Sequence, residues 1–326
     1  MVRARMIRVA LALAASACCA LGMLGASASE NEDAPARTQD TPSRDSGASS
    51  RTLHIDGIDM RLDLVPSEFS GGPDALLAWI QRSADIVTHY YGRFPTRALH
   101  IAVAPTGGSG VHGGTTWGRE GGFIRVRVGR DTTAQQFRDD WVLVHEMIHL
   151  ALPDVSDAHS WLSEGISTYV EGVARAQMGN RTIEDVWTEQ TRSMPKGLPQ
   201  SGDRGLDNTH TWGRTYWGGA LFCLQADVEI RQRTHNRFGL QDALRAVTRE
   251  SGGIVSDWPI ERIFRTGDEA VGVNVLEELY AKSKDSPASP DLDGLWKQLG
   301  VEPTADGVRL HDDAPMAGIR KAIIQQ

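Results

Sequence analysis

Two histidines and a glutamate lie close together in the segment HEMIH, residues 145–149. His145 and His149 are four residues apart, so on a helix both imidazoles lie on one face, one turn from each other. This spacing, with Glu146 between them, is the arrangement that a catalytic zinc ion needs. The segment therefore predicts a site for one Zn²⁺ ion and a hydrolytic reaction, with Glu146 as the general base. The alternative is an ordinary helix with surface histidines.

A zinc ion in a hydrolytic site usually takes three protein ligands and leaves a fourth position to water. Asp154, Asp157, His159 and Glu164 follow the segment closely enough to supply the third ligand. We choose Glu164 because Ser160 can cap a new helix there, on which the apolar stripe faces away from Glu164. Asp157 and His159 stay open as alternatives.

The helix that carries the two histidines is predicted over about 132–152. Its apolar residues recur every three or four positions and form the stripe that packs on the core: Phe137, Trp141, Val144, Ile148 and Leu152. At about 100° per residue, both histidines lie along one edge of that stripe. We therefore expect them at the border between core and water.

Strand patterns come early in the chain and helix patterns come later. Residues 53–64 alternate as a hairpin, 73–91 have helical spacing and 99–103 predict a strand. Further helices are predicted at about 160–178, 182–193, 215–234, 240–251 and 274–283. This order predicts an α+β fold, with a small mixed or antiparallel sheet lobe followed by a mainly helical lobe.

Residues 107–122 contain eight glycines, which predicts a loop. Residues 123–128 then alternate as a strand with one polar face. Such a strand could lie at the sheet edge and pair with an extended substrate, or belong to an ordinary hairpin with solvated arginines.

The first 28 residues have the pattern of a secretory signal peptide: three arginines, an apolar stretch and a cleavage signal of small residues. A membrane anchor is the alternative, although the stretch is short and broken by glycines. Lipid attachment at Cys18 or Cys19 is a weaker option. We predict a secreted or periplasmic protein whose mature chain has no membrane span.

Residues 29–50 contain no large apolar side chain and are predicted to form a disordered linker. A single catalytic domain is predicted over 51–283. Residues 284–326 are predicted to be a linker and a C-terminal tail, with helices at 291–299 and 315–324.

Charge and cysteine content exclude several classes. Removing the three arginines of the signal peptide takes the formal net charge from -8 to -11, which leaves no basic surface for nucleic acid. Cys223 is then the one remaining cysteine, so no internal disulfide is possible. It lies in an apolar run and is predicted to be buried rather than nucleophilic. A peptide or protein substrate is the expected partner, and the oligomeric state stays open.

Two stretches of the chain resemble a known family. HEMIH followed by WLSEGISTYVEG, residues 161–172, resembles the gluzincin pattern of the aminopeptidase N family, in which a W-L-x-E-G segment supplies the third zinc ligand. Residues 216–231 and 240–245 are similar to the equivalent region of glycyl aminopeptidases. Together these segments cover roughly residues 140–250.

The resemblance implies a thermolysin-like, gluzincin catalytic domain. It implies zinc bound by His145, His149 and Glu164, with Glu146 as the catalytic base. It also implies that Tyr216 is the tyrosine of a Y-x-x-G-A motif that stabilises the transition state.

The sequence departs from those families at two points. The spacer between His149 and Glu164, 14 residues long, is shorter than usual. No G-x-M-E-N segment is present to hold the free amino group of a substrate, and Glu120 is the nearby acid that could replace it. His210 is either a second donor to the oxyanion or a loop histidine.

Taken together, these patterns predict a zinc metallopeptidase that is aminopeptidase-like in its site. The alternative is a secreted zinc-binding or peptide-binding protein that has a peptidase-like fold and no turnover.

Overall fold

The computed structural model describes residues 49–55, 57–64, 69–118 and 120–325. The predicted signal peptide and most of the predicted linker lie outside the described residues. The last two linker residues, Ser49 and Ser50, begin a strand because they pair with Leu64 and Asp63. The predicted disorder is therefore wrong for these two residues.

A five-stranded mixed sheet forms the first lobe. Its strands are β1 (Ser49–Ile55), β2 (Ile58–Leu64), β3 (Ala98–Thr106), β4 (Val111–Trp117) and β5 (Phe123–Gly129). They lie in the order β1-β2-β3-β5-β4. The β2–β3 and β3–β5 pairs are parallel, and the β1–β2 and β4–β5 pairs are antiparallel. The predicted hairpin at 53–64 is confirmed.

Strand β4 differs from the prediction. A loop is predicted over 107–122, but part of this segment pairs with β5, for example Thr116 with Ile124. Residues 123–128 are not an edge strand but lie between β3 and β4. They form an antiparallel hairpin with β4, and Arg125 and Arg127 are exposed, as the second alternative for this segment predicts. The loop prediction is wrong because the glycines of β4 hide its strand alternation. The position of 123–128 in the sheet could not be predicted, because strand order depends on contacts that are distant in sequence. Strand β4 therefore lies at one edge of the sheet, and β1 lies at the other.

The described part of the chain contains eleven α-helices, which make up most of the second lobe and confirm the α+β class. They are α1 (Gly72–Tyr91), α2 (Ala134–Asp139), α3 (Val142–His149), α4 (Ser160–Gln177), α5 (Ile183–Ser193), α6 (Gly219–Thr234), α7 (Leu240–Ser251), α8 (Ile260–Val271), α9 (Leu276–Ser283), α10 (Leu292–Leu299) and α11 (Ala317–Ile324). Helix α8 is not predicted, because Gly267 in its interior lowers its helix propensity. Packing against α7 and α9 compensates.

The helix predicted over 132–152 is in fact two helices, α2 and α3, with extended backbone at Asp140 between them. The Asp140 carboxylate accepts hydrogen bonds from the backbone N–H groups of Val142 and Leu143, at 3.2 Å each, and from the Trp79 indole at 2.8 Å. These bonds satisfy free donors at the start of α3 and fix where it begins. All eight residues of α3 are buried.

The C-terminal segment packs on the helical lobe. Helix α11 contacts α4 and α6, and the short hairpin of β6 (Val301–Pro303) and β7 (Val308–Leu310) contacts α5. Ile323 and Ile324 belong to the same hydrophobic core as buried residues of helices α3 and α4. None of the helices in the described ranges has both the length and the apolar character that a membrane crossing requires.

Candidate metal centre

Helices α3 and α4 bring the three predicted ligands together. His145 and His149 lie on α3, and Glu164 lies in the first turns of α4. Glu164 Oε2 is 3.3 Å from His145 Nε2 and 3.5 Å from His149 Nε2. One possible ligand atom from each residue lies within 4.8 Å of the other two. The three side chains therefore converge on one point.

This cluster is more buried than the sequence predicts. His145 and His149 are each 2% exposed, and Glu164 is 3% exposed. The expected position at the border of the core is wrong, because helix α4 and strand β4 both pack against α3. Access to the cluster must therefore come past the side chains that border it.

The donor atoms fit a zinc ion. Two imidazole nitrogens and a carboxylate form one of the ligand sets of catalytic zinc. The Nε2 atom of His149 is buried without a hydrogen-bond partner, which is costly unless another group satisfies it. The Nδ1 atom of His149 lies 2.8 Å from Ser163 Oγ. Histidines that bind zinc commonly make such a hydrogen bond with the other ring nitrogen, and it fixes the orientation of the ring. Nδ1 of His145 is buried without such a partner.

Electrostatics keep the carboxylate of the cluster ionised. Burial alone would raise the pKa of Glu164, but the charge of His149 and the hydrogen bond and charge of His145 outweigh it and lower the pKa to about 2. Burial would likewise lower the pKa of His149, but Glu164 outweighs it and raises that pKa. A carboxylate must be ionised to bind a metal, so Glu164 is ready at neutral pH.

Glu146 lies beside the cluster and is held by strand β4. The Thr116 hydroxyl is 2.6 Å from Glu146 Oε2 and donates a hydrogen bond to it. The backbone of Gly114 lies so close that an added Cβ would be 2.5 Å from Glu146 Cγ, which explains the glycine. Burial raises the pKa of Glu146, although the neighbouring His149, His145 and Thr116 act in the opposite direction. A raised pKa makes a carboxylate a better proton acceptor.

Tyr216 lies on a π-helical turn, Gly213–Gly218, that precedes α6. Its ring is stacked on that of His145, with centroids 6.4 Å apart and planes at 18°. Burial raises the pKa of Tyr216, and the charges of Glu164 and Glu146 add to this effect. The hydroxyl therefore stays protonated and can donate a hydrogen bond at the cluster.

Close backbone contacts fix the position of this turn. A Cβ on Gly165, next to Glu164, would lie 2.3 Å from Gly219 Cα. In the turn itself, Arg214 Nε is 2.8 Å from the Asp203 carboxylate, and Arg214 Nη1 donates to the Gly197 carbonyl at 2.7 Å. Glu164 and Tyr216 are thus held on two helices that touch through glycines.

We expect Gly165→Ala to destabilise the fold and disturb the cluster. The added methyl forces α4 and α6 apart, and such overpacking typically costs about 1–3 kcal/mol in the free energy of unfolding. Thermal unfolding and zinc content of the purified variant measure both effects. The control is Gly172→Ala on the same helix, where the nearest atom is 3.5 Å away. Unchanged stability and zinc content in Gly165→Ala would contradict the proposed role of this contact.

The other candidate residues do not belong to this group of three side chains. His159 lies 3.5 Å from Asp207 and 3.0 Å from Ser156 instead, and Asp157 is exposed. Glu120 is exposed in the turn between β4 and β5, and His210 is exposed ahead of the π-helical turn. Ser160 begins α4 but makes no side-chain cap, so that prediction is wrong. A short 3-10 turn leads into the helix there.

Two residues of the site are not predicted from the sequence. Thr116 lies in the segment predicted as a loop, and only the position of β4 beside α3 shows its contact with Glu146. Ser163 could have been recognised, because it lies next to Glu164 on a predicted helix and hydroxyls often orient ligating histidines.

Cys223, predicted to be buried, is 1% exposed and is a free thiol.

Neither a protein-family model nor a curated protein sequence matches this chain. Among solved structures, it is similar to an aminopeptidase N family protein from Idiomarina loihiensis, with a TM-score of 0.59 and 14% identity over 78% of this chain and 49% of that one. It is also similar to an M1 zinc metallopeptidase from Deinococcus radiodurans, with a TM-score of 0.49 and 16% identity over 75% and 53% of the two chains. The chain spans about half the length of these proteins. The first likeness shows that this chain shares the fold of an aminopeptidase N family protein.

Proposed function

We propose that this protein is a secreted or periplasmic zinc metallopeptidase that hydrolyses peptide bonds. The observation that carries the proposal is the convergence of His145, His149 and Glu164, with the buried carboxylate of Glu146 beside them. The fold shared with an aminopeptidase N family protein supports it. The signal-peptide pattern of the first 28 residues supports the location.

The residues around the cluster each have a place in such a reaction. A zinc ion bound by the three ligands would lower the pKa of a water molecule to about 7. Thr116 holds the Glu146 carboxylate at Oε2, and this carboxylate can take the proton when water attacks the peptide carbonyl. The same carboxyl group can then pass the proton to the leaving amine. The Tyr216 hydroxyl can donate to the oxyanion that develops on the substrate.

The edge strand supplies a surface for an extended peptide. Strand β4 lies at one end of the sheet and contacts α3, the helix that carries His145 and His149. Peptides commonly bind such an edge as an additional strand, through backbone hydrogen bonds. We propose that the substrate lies along β4, in place of the pairing with 123–128 that the sequence suggests.

We propose that cleavage does not require a free amino terminus. The acidic groups that act on both His149 and Tyr216 are Glu164 and Glu146, and both already have roles in the site. Glu120, the candidate anchor for an amino group, is exposed in a turn.

Matched peptides with free and acetylated amino termini test this function. We expect the purified, zinc-loaded protein to cleave both at similar rates, and a chelator to stop both reactions. Cleavage of the free peptide alone would show an aminopeptidase. No cleavage of either peptide would contradict peptidase activity.

A second function is favoured by one observation, the near-complete burial of the ligands. A zinc or peptide-binding protein without turnover could have such a closed site, because structural zinc sites leave no position open to water. In that case the protein would bind one zinc ion and cleave no peptide, and the chelator would lower the free energy of unfolding.

We expect Tyr216→Phe to slow peptide cleavage about a hundredfold while zinc stays bound. Removing one donor to an oxyanion typically costs about 3 kcal/mol in the barrier. The ring that stacks on His145 is retained, so the fold and the ligands are unaffected. The measurement is kcat with zinc content determined on the same sample. A variant as active as the wild type would show that Tyr216 only packs against the cluster.

A further inference from the structure

A row of aromatic rings leads from the cluster to the surface. Tyr216 stacks on His145, and Trp212 stacks on Tyr216, with ring centroids 5.9 Å apart and planes at 28°. Exposure increases along this row: His145 is 2% exposed, Tyr216 is partly exposed and Trp212 is 51% exposed. The row therefore marks the side on which the buried cluster meets solvent.

Trp212 is one of three large hydrophobic residues that are exposed in the described part of the chain. The other two are Met178 and Val255. A single exposed apolar residue is common and needs no explanation. An indole stacked on the tyrosine that we place at the reacting carbonyl is a different case, because a bound substrate would pass beside it.

The backbone around Trp212 is held rigidly. A Cβ on the next residue, Gly213, would lie 2.4 Å from the Lys196 carbonyl oxygen, so the chain is tightly packed there. The backbone N–H of Thr215 donates to the Thr211 carbonyl at 2.9 Å, and Arg214 is anchored to Asp203. A large side chain on a rigid backbone loses little entropy when it binds a ligand.

We propose that Trp212 forms a substrate subsite that binds an aromatic or aliphatic side chain next to the scissile bond. The indole offers apolar surface at the mouth of the site, and aromatic pairs gain contact energy beyond their buried area. Lys196 Nζ lies 6.0 Å from the Trp212 ring and 5.7 Å from the Trp217 ring. This positive charge disfavours a lysine or arginine side chain in the subsite. The subsite presupposes the peptide hydrolysis proposed above and specifies which peptides are preferred.

Two sets of matched peptides test the subsite, with Phe, Leu, Ala or Lys on either side of the scissile bond. For the wild-type protein, we expect kcat/KM to be higher for Phe and Leu than for Ala or Lys in one of the two sets. That set identifies the side of the scissile bond on which the subsite lies. Trp212→Ala should lower kcat/KM about tenfold for the Phe and Leu peptides and change the Ala peptide little. Trp212→Phe should restore most of the preference.

The control is Val255→Ala, which removes an equally exposed apolar residue and should leave the preference unchanged. An equal loss for all peptides in Trp212→Ala would overturn the subsite, because it would mean that the indole only positions Tyr216. A wild type that cleaves without any apolar preference would overturn it as well.

Peptide binding separates this proposal from the hydrolytic one. In a Glu146→Gln background, we expect the Phe peptide to bind more tightly than the Ala peptide, and Trp212→Ala to abolish the difference. Such a result with a wild type that cleaves nothing would reject the peptidase function and leave Trp212 as a residue that binds apolar peptide side chains. Cleavage by wild type with no effect of Trp212→Ala on binding would reject the subsite alone.

Discussion

Glu146→Gln should lower the rate of peptide cleavage by about a hundredfold to ten-thousandfold while the protein stays folded and keeps its zinc. This range is what a positioned general base typically contributes. Glutamine has the same shape, and its amide oxygen can still accept the hydrogen bond from Thr116. The one change is the loss of a group that takes a proton. The measurements are kcat, zinc content and thermal unfolding on the same preparation.

Glu120→Gln is the matched control for this experiment. It makes the same chemical change on an exposed acid of the β4–β5 turn, so we expect wild-type activity. Wild-type activity in Glu146→Gln would show that another group takes the proton. A large loss in Glu120→Gln, confined to peptides with a free amino terminus, would instead identify Glu120 as their anchor.

The parts of the site that depend on local sequence were predictable. The spacing of His145 and His149 requires only helical geometry, and Glu164 follows from the apolar stripe of its own helix and from the W-L-x-E-G resemblance. These features depend on residues within a few turns of one another. For the same reason, helices α4, α5 and α7 are found within a residue or two of their predicted bounds.

The parts that depend on distant contacts were not predictable. Thr116 reaches Glu146 only because β4 pairs outside β5, and no local pattern specifies that order. The break at Asp140 depends on a side chain that competes for the first backbone donors of α3 and is also held by Trp79. The burial of the histidines has in part the same origin, since α1 and β4, which lie far from α3 in the sequence, pack against that helix.

Glu164→Gln should reduce zinc affinity more than a hundredfold and abolish chelator-sensitive cleavage. The change keeps the volume of a side chain that is 3% exposed, but it removes the charge that the two histidines hold in its ionised form. Loss of a hydrogen-bonding partner of a metal ligand typically costs about 10- to 100-fold in affinity, and loss of a ligand should cost more. Zinc content and a competition titration with a chelator measure the effect.

Two companion variants show whether the effect belongs to a ligand. Ser163→Ala removes the partner of His149 Nδ1 and should weaken zinc about 10- to 100-fold, less than Glu164→Gln. His159→Ala removes the alternative third ligand and should leave zinc bound, because that ring lies beside Asp207 rather than in the cluster. Loss of zinc in His159→Ala with full retention in Glu164→Gln would reverse the assignment of the third ligand. The ranking of the three variants therefore tests the ligand set independently of any substrate.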